Sequence, residues 1–149
     1  MADMRAVLMP MLLAEEGTRL KVYDDATGRP IIPGTKVIGH PTVGIGRALD
    51  VNGITEEEAE YLLGNDVEKV CVALDKALPW WTTLTTTRRA VLAAMAFQMG
   101  LAGLLAFKNT LAMVQAGDYR GAARGMLASK WATQTPGRAA RMALMMENG

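Results

Sequence analysis

The sequence predicts an α+β fold in which a small lobe containing a β-sheet is joined by a long helix to a mainly helical lobe. Three observations support this prediction. Strand-forming and turn-forming residues are concentrated at 18–47, a helix start signal stands at 55–58, and helical periodicity dominates from 84 onward. At 149 residues the chain suits one compact domain. We expect a single domain over 1–149, with a small lobe at about 17–54, a linking helix at about 55–76, and a helical lobe at about 77–149 that includes the N-terminal helix.

An apolar segment at residues 3–15 predicts the first helix. Pro10 is expected near its start or at a bend. Gly17 is a typical stop signal, so Glu16 is expected at the end of the helix. The apolar run at 6–14 is too short to span a bilayer and lacks the basic start and cleavage pattern of a secretory signal. We therefore expect a buried first helix and no self-driven export.

Residues 18–47 predict a small antiparallel sheet. Leu20, Val22 and Tyr23 are strand formers, and glycine and proline residues punctuate the segment that follows them. Two further short strands are expected at Val37–Ile38 and at residues 42–45. Asp25 is expected at one of the turns.

Residues 55–76 predict the linking helix. Thr55 and Glu58 fit a capping box, in which Thr55 caps the first free N–H groups and Glu58 bonds back to the start of the helix. An apolar stripe continues to Leu74, and Pro79 ends the helix at the latest.

The rest of the chain predicts a helical lobe. A central, buried helix is expected between the cap at Thr85–Thr87 and a stop at Gly100. Thr135 is expected to cap the last helix, with Pro136 at its first position. Further helices are predicted at 101–106, 109–115 and 119–128, and the last one at 136–146.

The composition limits the chemistry. Cys71 is the only cysteine and His40 the only histidine, so neither an intrachain disulfide nor a Cys/His metal cluster is possible. The net charge of residues 1–75 is −6 and that of residues 76–149 is +7. This asymmetry could attract an anionic polymer, or the two halves could simply attract each other.

Two acids nine residues apart, Glu16 and Asp25, are candidates for glycoside hydrolysis. That reaction needs a proton donor and a second group that attacks the sugar or activates a water molecule. An apolar helix before Glu16 could keep it protonated, and a polar turn could keep Asp25 ionised. From the residues alone the pair is only suggestive, because Glu15 and Asp24 are equally placed rivals.

Three ordered blocks resemble one family. The first is Glu-Gly-x-Arg-Leu-x-x-Tyr-x-Asp at 16–25, followed by Thr-x-Gly-x-Gly at 42–46. The second is Arg-Arg at 88–89 with Met-Ala-Phe-Gln-Met-Gly at 95–100, and the third is Ser-Lys-Trp at 129–131 with Gln-Thr-Pro-Gly-Arg-Ala at 134–139. Together they resemble the phage-type lysozymes, the T-even and related endolysins of glycoside hydrolase family 24. The resemblance implies a lysozyme-like fold.

The resemblance also implies residue roles. Glu16 aligns with the general acid, Asp25 with the second carboxylate, and Thr42 with the threonine that helps to place the attacking water molecule. Arg138 aligns with an arginine that pairs with the acid, and Tyr23 belongs to the supporting motif. Phe97 and Thr110 align with substrate-contacting positions, although core packing is an equally good interpretation of Phe97.

The function implied by the resemblance is hydrolysis of peptidoglycan at the β-1,4 bond between N-acetylmuramic acid and N-acetylglucosamine, with inversion and without metal or organic cofactor. A monomer with no nucleic-acid partner is expected. It would accumulate in the host cytoplasm and depend on a membrane-permeabilising, holin-like partner. A lytic transglycosylase and a non-catalytic wall-binding or virion-structural relative remain alternatives.

The sequence departs from the family pattern at four places. An insertion at 29–41 separates Asp25 from Thr42 and leaves their spatial relation open. Arg47 stands where the family has a histidine, and His40 is expected to be a solvated loop residue. Ala48 and Gly125 replace saccharide-contacting residues, so those contacts are not carried over.

Overall fold

The computed structural model describes the backbone of residues 2–149 and the side chains of residues 4–149. The chain divides into two compact units. The first unit extends to Ala59, and the second unit runs from Glu60 to Gly149. The division falls close to the predicted start of the linking helix. The first helix is grouped with the first unit, so its assignment to the helical lobe stays a prediction.

The α+β architecture is confirmed. Over the described residues there are eight α-helices, a short 3-10 helix at Pro79–Thr83 and one three-stranded antiparallel sheet. In chain order the elements are α1 (Ala2–Glu16), β1 (Arg19–Asp24), β2 (Pro41–Gly44), β3 (Arg47–Ala48), α2 (Leu49–Asn52), α3 (Glu56–Ala77), α4 (Thr86–Leu105), α5 (Lys108–Ala116), α6 (Tyr119–Leu127), α7 (Lys130–Gln134) and α8 (Pro136–Asn148).

The sheet of the first unit has the strand order β1-β2-β3. Tyr23 lies opposite Thr42 in the β1–β2 pair, and Thr42 lies opposite Ala48 in the β2–β3 pair. The strand predicted at Val37–Ile38 is wrong, because both residues lie in the loop before β2. The Ile38 N–H donates to the carboxylate of Asp24 and is therefore not available to a strand partner.

The first unit has a polar interior. Among its described side chains only Asp24 and Thr42 are buried, with 2% and 3% of their surface exposed. The prediction that the first helix is buried is wrong in this structure, since residues 4–16 of α1 are exposed. Apolar side chains are spread around α1 with little preference for one face, and the described residues of the first unit contain no buried apolar cluster for them to join.

The predicted capping box is confirmed at the start of α3. The Glu58 N–H donates to Thr55 Oγ1 at 3.2 Å, and the Thr55 N–H donates to Glu58 Oε2 at 2.8 Å. Two N–H groups that an unprotected helix start would leave unpaired are thus satisfied reciprocally. The helix ends at Ala77, before Pro79.

The second unit contains the apolar core. Val91, Leu92 and Met95 of α4 are buried in it, as predicted for a central helix. Gly100 interrupts α4 with φ 78° and ψ 162°, which confirms the predicted stop. Helix α4 is long and apolar enough to cross a membrane by length and composition alone, a property that buried core helices share.

The end of the chain deviates in detail from the prediction. A short helix, α7, precedes the last helix and was not predicted. Pro136 begins α8 as predicted, but the hydroxyl of Thr135 donates to the Trp131 carbonyl and does not cap α8. The Thr135 hydroxyl is therefore bonded to helix α7 and does not cap the start of α8.

Candidate active site

The structure separates the rival acids Asp24 and Asp25. The buried carboxylate of Asp24 accepts from three backbone N–H groups, those of Ala26 at 3.0 Å, Ile38 at 2.8 Å and Gly39 at 3.0 Å. These bonds, with that of Ile38 the strongest, lower the pKa of Asp24 against the opposing effect of desolvation. Asp24 therefore holds the loop before β2 onto the end of β1.

Asp25 is free to act on a ligand. Its side chain is exposed, and its Oδ1 accepts from the His40 N–H at 2.6 Å. Among the described residues no hydrogen bond reaches its other carboxylate oxygen. An ionised carboxylate has lone pairs to spare, so this oxygen can accept a proton or hold a water molecule.

Thr42 lies beside Asp25 through a shared neighbour. The Thr42 hydroxyl donates to the His40 carbonyl at 3.1 Å, and the same carbonyl accepts from the Asp25 N–H at 3.1 Å. The two predicted residues are thus brought together in spite of the insertion between them. Since the hydroxyl proton is directed at a carbonyl, the Thr42 oxygen is left as an acceptor.

Glu16 ends α1 and approaches the turn between β2 and β3. A Cβ atom placed on Gly46 would lie 2.9 Å from Glu16 Oε2, so glycine provides the space for this carboxylate. Gly46 also has a positive φ of 68°, which other residues adopt at a cost. No equivalent contact involves Glu15 among the described glycines, which favours Glu16 over its neighbour.

Tyr23 supports the strand before the site. The guanidinium of Arg19 lies 3.8 Å from the centre of its ring, and the backbone of Tyr23 also bridges to Pro30. Arg19 in turn donates to the Gly28 carbonyl at 2.9 Å. These contacts close the turn that carries Asp25.

The insertion at 29–41 forms a loop that returns to the end of β1. The Ile31 N–H donates to the Val22 carbonyl, and the loop turns at Pro33–Gly34. Gly39 passes so close to Asp25 that an added Cβ would overlap Asp25 Oδ1. The loop therefore determines where the Asp25 carboxylate lies.

His40 is not simply solvated, in contrast to the prediction. Its side chain is 52% exposed, but Nδ1 lies 2.8 Å from Asp50 Oδ2. The hydrogen bond to Asp50, together with the charges of Asp50 and Asp25, raises the pKa of His40. The same hydrogen bond lowers the pKa of Asp50. The raised pKa extends the charged, imidazolium form of the ring to higher pH than in an isolated histidine.

Arg47 makes new pairings at the position of the family's histidine. Its Nη1 lies 2.8 Å from Glu58 Oε1, and its Nε donates to the Gly53 carbonyl at 2.7 Å. These bonds connect β3 to the first turn of α3. Glu58 thereby serves both the capping box and the sheet.

The second unit carries the remaining predicted residues. Phe97, with half of its surface exposed, and Arg138 both line a mainly apolar cavity of about 500 Å³. Thr110 is only 6% exposed, and a Cβ on Gly125 would lie 2.6 Å from its hydroxyl. The substrate contacts of Phe97 and Thr110, and the pairing of Arg138 with the acid, stay predictions.

Three residues of the site were not predicted to act there: Asp24 as the holder of the loop, Gly39 and His40. Their partners are up to 15 residues away along the chain, so no local pattern marks them. Among the described residues no group of three or more His, Cys, Asp or Glu side chains could hold a metal ion.

Comparison with known proteins identifies the family. The profile of the phage lysozyme family matches residues 14–144. The chain is 33% identical to the pre-baseplate central spike protein Gp5 of Enterobacteria phage T4, over 93% of this chain and 27% of that protein. It is 28% identical to a probable T4-type lysozyme 2 of Dictyostelium discoideum, over 95% of this chain and 94% of that protein.

A third relative is the peptidoglycan hydrolase gp36 of Pseudomonas phage phiKMV, 33% identical over 83% of this chain and 13% of that protein. The chain thus spans about a quarter of the T4 spike protein and nearly all of the Dictyostelium protein. The family profile covers the proposed acids, the sheet and most of the helical unit. The chain belongs to the phage lysozyme family.

Proposed function

We propose that the protein is a muramidase that hydrolyses the β-1,4 bond between N-acetylmuramic acid and N-acetylglucosamine in peptidoglycan. The family match and the relatives named lysozyme and peptidoglycan hydrolase support this substrate. The observation that carries the proposal is the arrangement of Asp25 and Thr42 around one backbone group, in the same unit as Glu16.

Glu16 is the proposed general acid. Its carboxyl group lies at the glycine turn between β2 and β3, where the absence of a side chain on Gly46 leaves room beside it. In the reaction it gives its proton to the leaving glycosidic oxygen as the bond to the sugar breaks. Glu15, its neighbour, has no role in this proposal.

Asp25 and Thr42 are proposed to hold the attacking water molecule. One water hydrogen would bond to the unengaged oxygen of Asp25 and the other to the Thr42 oxygen, whose own proton is directed at the His40 carbonyl. The water lone pair would then face the sugar carbon. Asp25 takes the proton as the oxygen attacks, which gives inversion at that carbon.

Phe97 and Arg138 are proposed to act from the second unit. Phe97 is aromatic and half exposed at the edge of an apolar cavity, which suits contact with the apolar face of a sugar ring. Arg138 brings a permanent positive charge to the same cavity.

The relative named a central spike protein favours a second candidate, a virion-borne protein with a structural role. The two candidates differ in whether the chain cleaves peptidoglycan. Purified wild type should release muropeptides from peptidoglycan, and Glu16→Gln should reduce this by about a hundredfold or more. Glu15→Gln is the matched control and should retain wild-type activity.

The products distinguish hydrolysis from the transglycosylase alternative. Hydrolysis adds water and yields reducing muramic acid ends. A transglycosylase yields anhydro products that lack this water molecule and are therefore about 18 Da lighter. Mass spectrometry of the released muropeptides reads this directly. Absence of release by well-folded wild type, with binding retained, would favour the structural candidate.

Access to the wall is proposed to depend on a membrane-permeabilising partner in the host. Cell fractionation with and without such a protein tests this part. We expect the chain in the cytoplasmic fraction until the membrane is opened. Periplasmic protein in cells without the partner would contradict it.

A further inference from the structure

We propose that His40 is a positioning residue for the attacking water molecule, and that its ring acts by anchoring its own backbone to Asp50. This inference rests on the proposed function, because that function gives Asp25 and Thr42 the role of holding the water molecule. It concerns a residue of the 29–41 insertion, outside the motifs that identify the family.

The backbone of His40 contacts both residues proposed to hold the water. Its N–H donates to Asp25 Oδ1 at 2.6 Å, while its carbonyl accepts from the Asp25 N–H and from the Thr42 hydroxyl, each at 3.1 Å. A shift of this peptide would move the Asp25 carboxylate and the Thr42 hydroxyl together. Water attack depends on the geometry of both groups, so the position of His40 matters to the rate.

The ring of His40 supplies the anchor. Nδ1 lies 2.8 Å from Asp50 Oδ2, in the first turn of α2. An ionised carboxylate only accepts hydrogen bonds, so Nδ1 is the donor. On the other side Asp24 holds the N–H groups of Ile38 and Gly39. The end of the insertion is thus fixed by side chains from β1 and α2.

The anchor depends on pH. The acids that face His40 are Asp50 from α2, Asp25 from the turn after β1, and Asp24, which binds the two preceding residues. The pKa of His40 is raised above its ordinary value of 6.5, chiefly by the hydrogen bond to Asp50. The charged anchor is therefore complete below pH 6.5 and weakens as pH rises through the higher pKa of the folded state.

The test uses Asp50→Ala, which removes the anchor and leaves the backbone bonds of His40 available. We expect kcat on soluble peptidoglycan strands to fall about tenfold with KM changed by less than about twofold. Asp50→Asn keeps an acceptor oxygen and should restore part of the lost rate. His40→Ala should cost as much as Asp50→Ala, and the double variant no more than either.

Exchange of the His40 amide proton, followed by NMR, is measured in parallel. Protection should fall about tenfold in Asp50→Ala, since the amide then leaves Asp25 more often. His40 is the only histidine, so its ring titration is unambiguous, and its midpoint should drop in Asp50→Asn. Asp66→Ala is the control, because it removes an exposed carboxylate from Lys69 in the second unit.

Three results would overturn the proposal. In the first, kcat and amide protection in Asp50→Ala both stay within about twofold of wild type. In the second, Asp50→Ala loses activity through a higher KM and not through a lower kcat. In the third, the control Asp66→Ala loses as much activity as Asp50→Ala. If wild type is no more active than Glu16→Gln, the proposed function fails, and the exchange measurement still decides whether Asp50 positions His40 on Asp25. Thermal melting identifies any variant that is unfolded, and Asp50→Asn then replaces Asp50→Ala.

Discussion

Gly39→Ala tests whether the insertion determines the position of Asp25. Gly39 does not have a positive φ, so the backbone accepts alanine and the effect comes from space alone. The new Cβ would overlap Asp25 Oδ1 and lie 2.8 Å from the backbone nitrogen of Ala26. The Ala26 nitrogen belongs to the backbone, so this clash cannot be relieved by rotation of a flexible side chain.

The size of the displacement gives the size of the effect. Ordinary contacts of a Cβ begin at 3.4 Å, so the loop and the Asp25 turn must separate by about 0.6 Å at Ala26 and by more at the carboxylate. Misplacing a catalytic group on this scale lowers kcat by about tenfold to a hundredfold, or about 1.4–2.7 kcal/mol in activation free energy. The free energy of unfolding should also fall by about 1–3 kcal/mol.

The assay compares muropeptide release with thermal melting for wild type and Gly39→Ala. Gly64→Ala is the matched control, because Gly64 lies in the interior of α3 with nothing near its added Cβ. This control should keep wild-type kcat and gain about 0.5–1 kcal/mol of stability. If Gly39→Ala turns over at the wild-type rate, the insertion does not control Asp25 and the reasoning is refuted.

Three further predictions concern stability. The lowered pKa of Asp24 contributes stability that is complete above its ordinary value of 3.8 and is lost as pH falls through its lower folded value. Asp24→Asn removes this contribution. Acid unfolding followed by circular dichroism should therefore show a weaker pH dependence of stability in Asp24→Asn than in wild type. Thr55→Ala removes the cap of α3 and should cost about 1 kcal/mol in urea unfolding, whereas an unchanged midpoint would mean that the cap contributes nothing. Leu104→Ala, at a fully buried position in the second unit, should cost about 2–5 kcal/mol, with the exposed Leu144→Ala as its near-neutral control.

Features that depend on neighbours in sequence could be predicted. The reciprocal bonds of Thr55 and Glu58, the stop at Gly100 and the place of Pro136 are all decided within four residues. Local backbone geometry determines each of them, so residue type and spacing are sufficient. The α+β architecture follows from the order of such segments.

Features that depend on distant partners could not be predicted. Asp24 and Asp25 look alike in sequence, and loop amides 14 and 15 residues away separate their roles. Ile38 has the composition of a strand residue, but its N–H belongs to Asp24. The burial of α1 was predicted from its apolar content, although its side chains show no single apolar stripe, which is the pattern that predicts packing.

The polar interior of the first unit has a consequence for its thermodynamics. The heat capacity of a protein rises on unfolding in proportion to the apolar surface that becomes exposed, whereas exposure of polar surface lowers it. Asp24 and Thr42 are the two buried side chains among the described residues of this unit, so the unit should contribute little to the heat capacity change of the whole chain. The free energy of unfolding of this unit should therefore change little with temperature and strongly with pH. Acid, rather than cold, should be the condition that unfolds the site first.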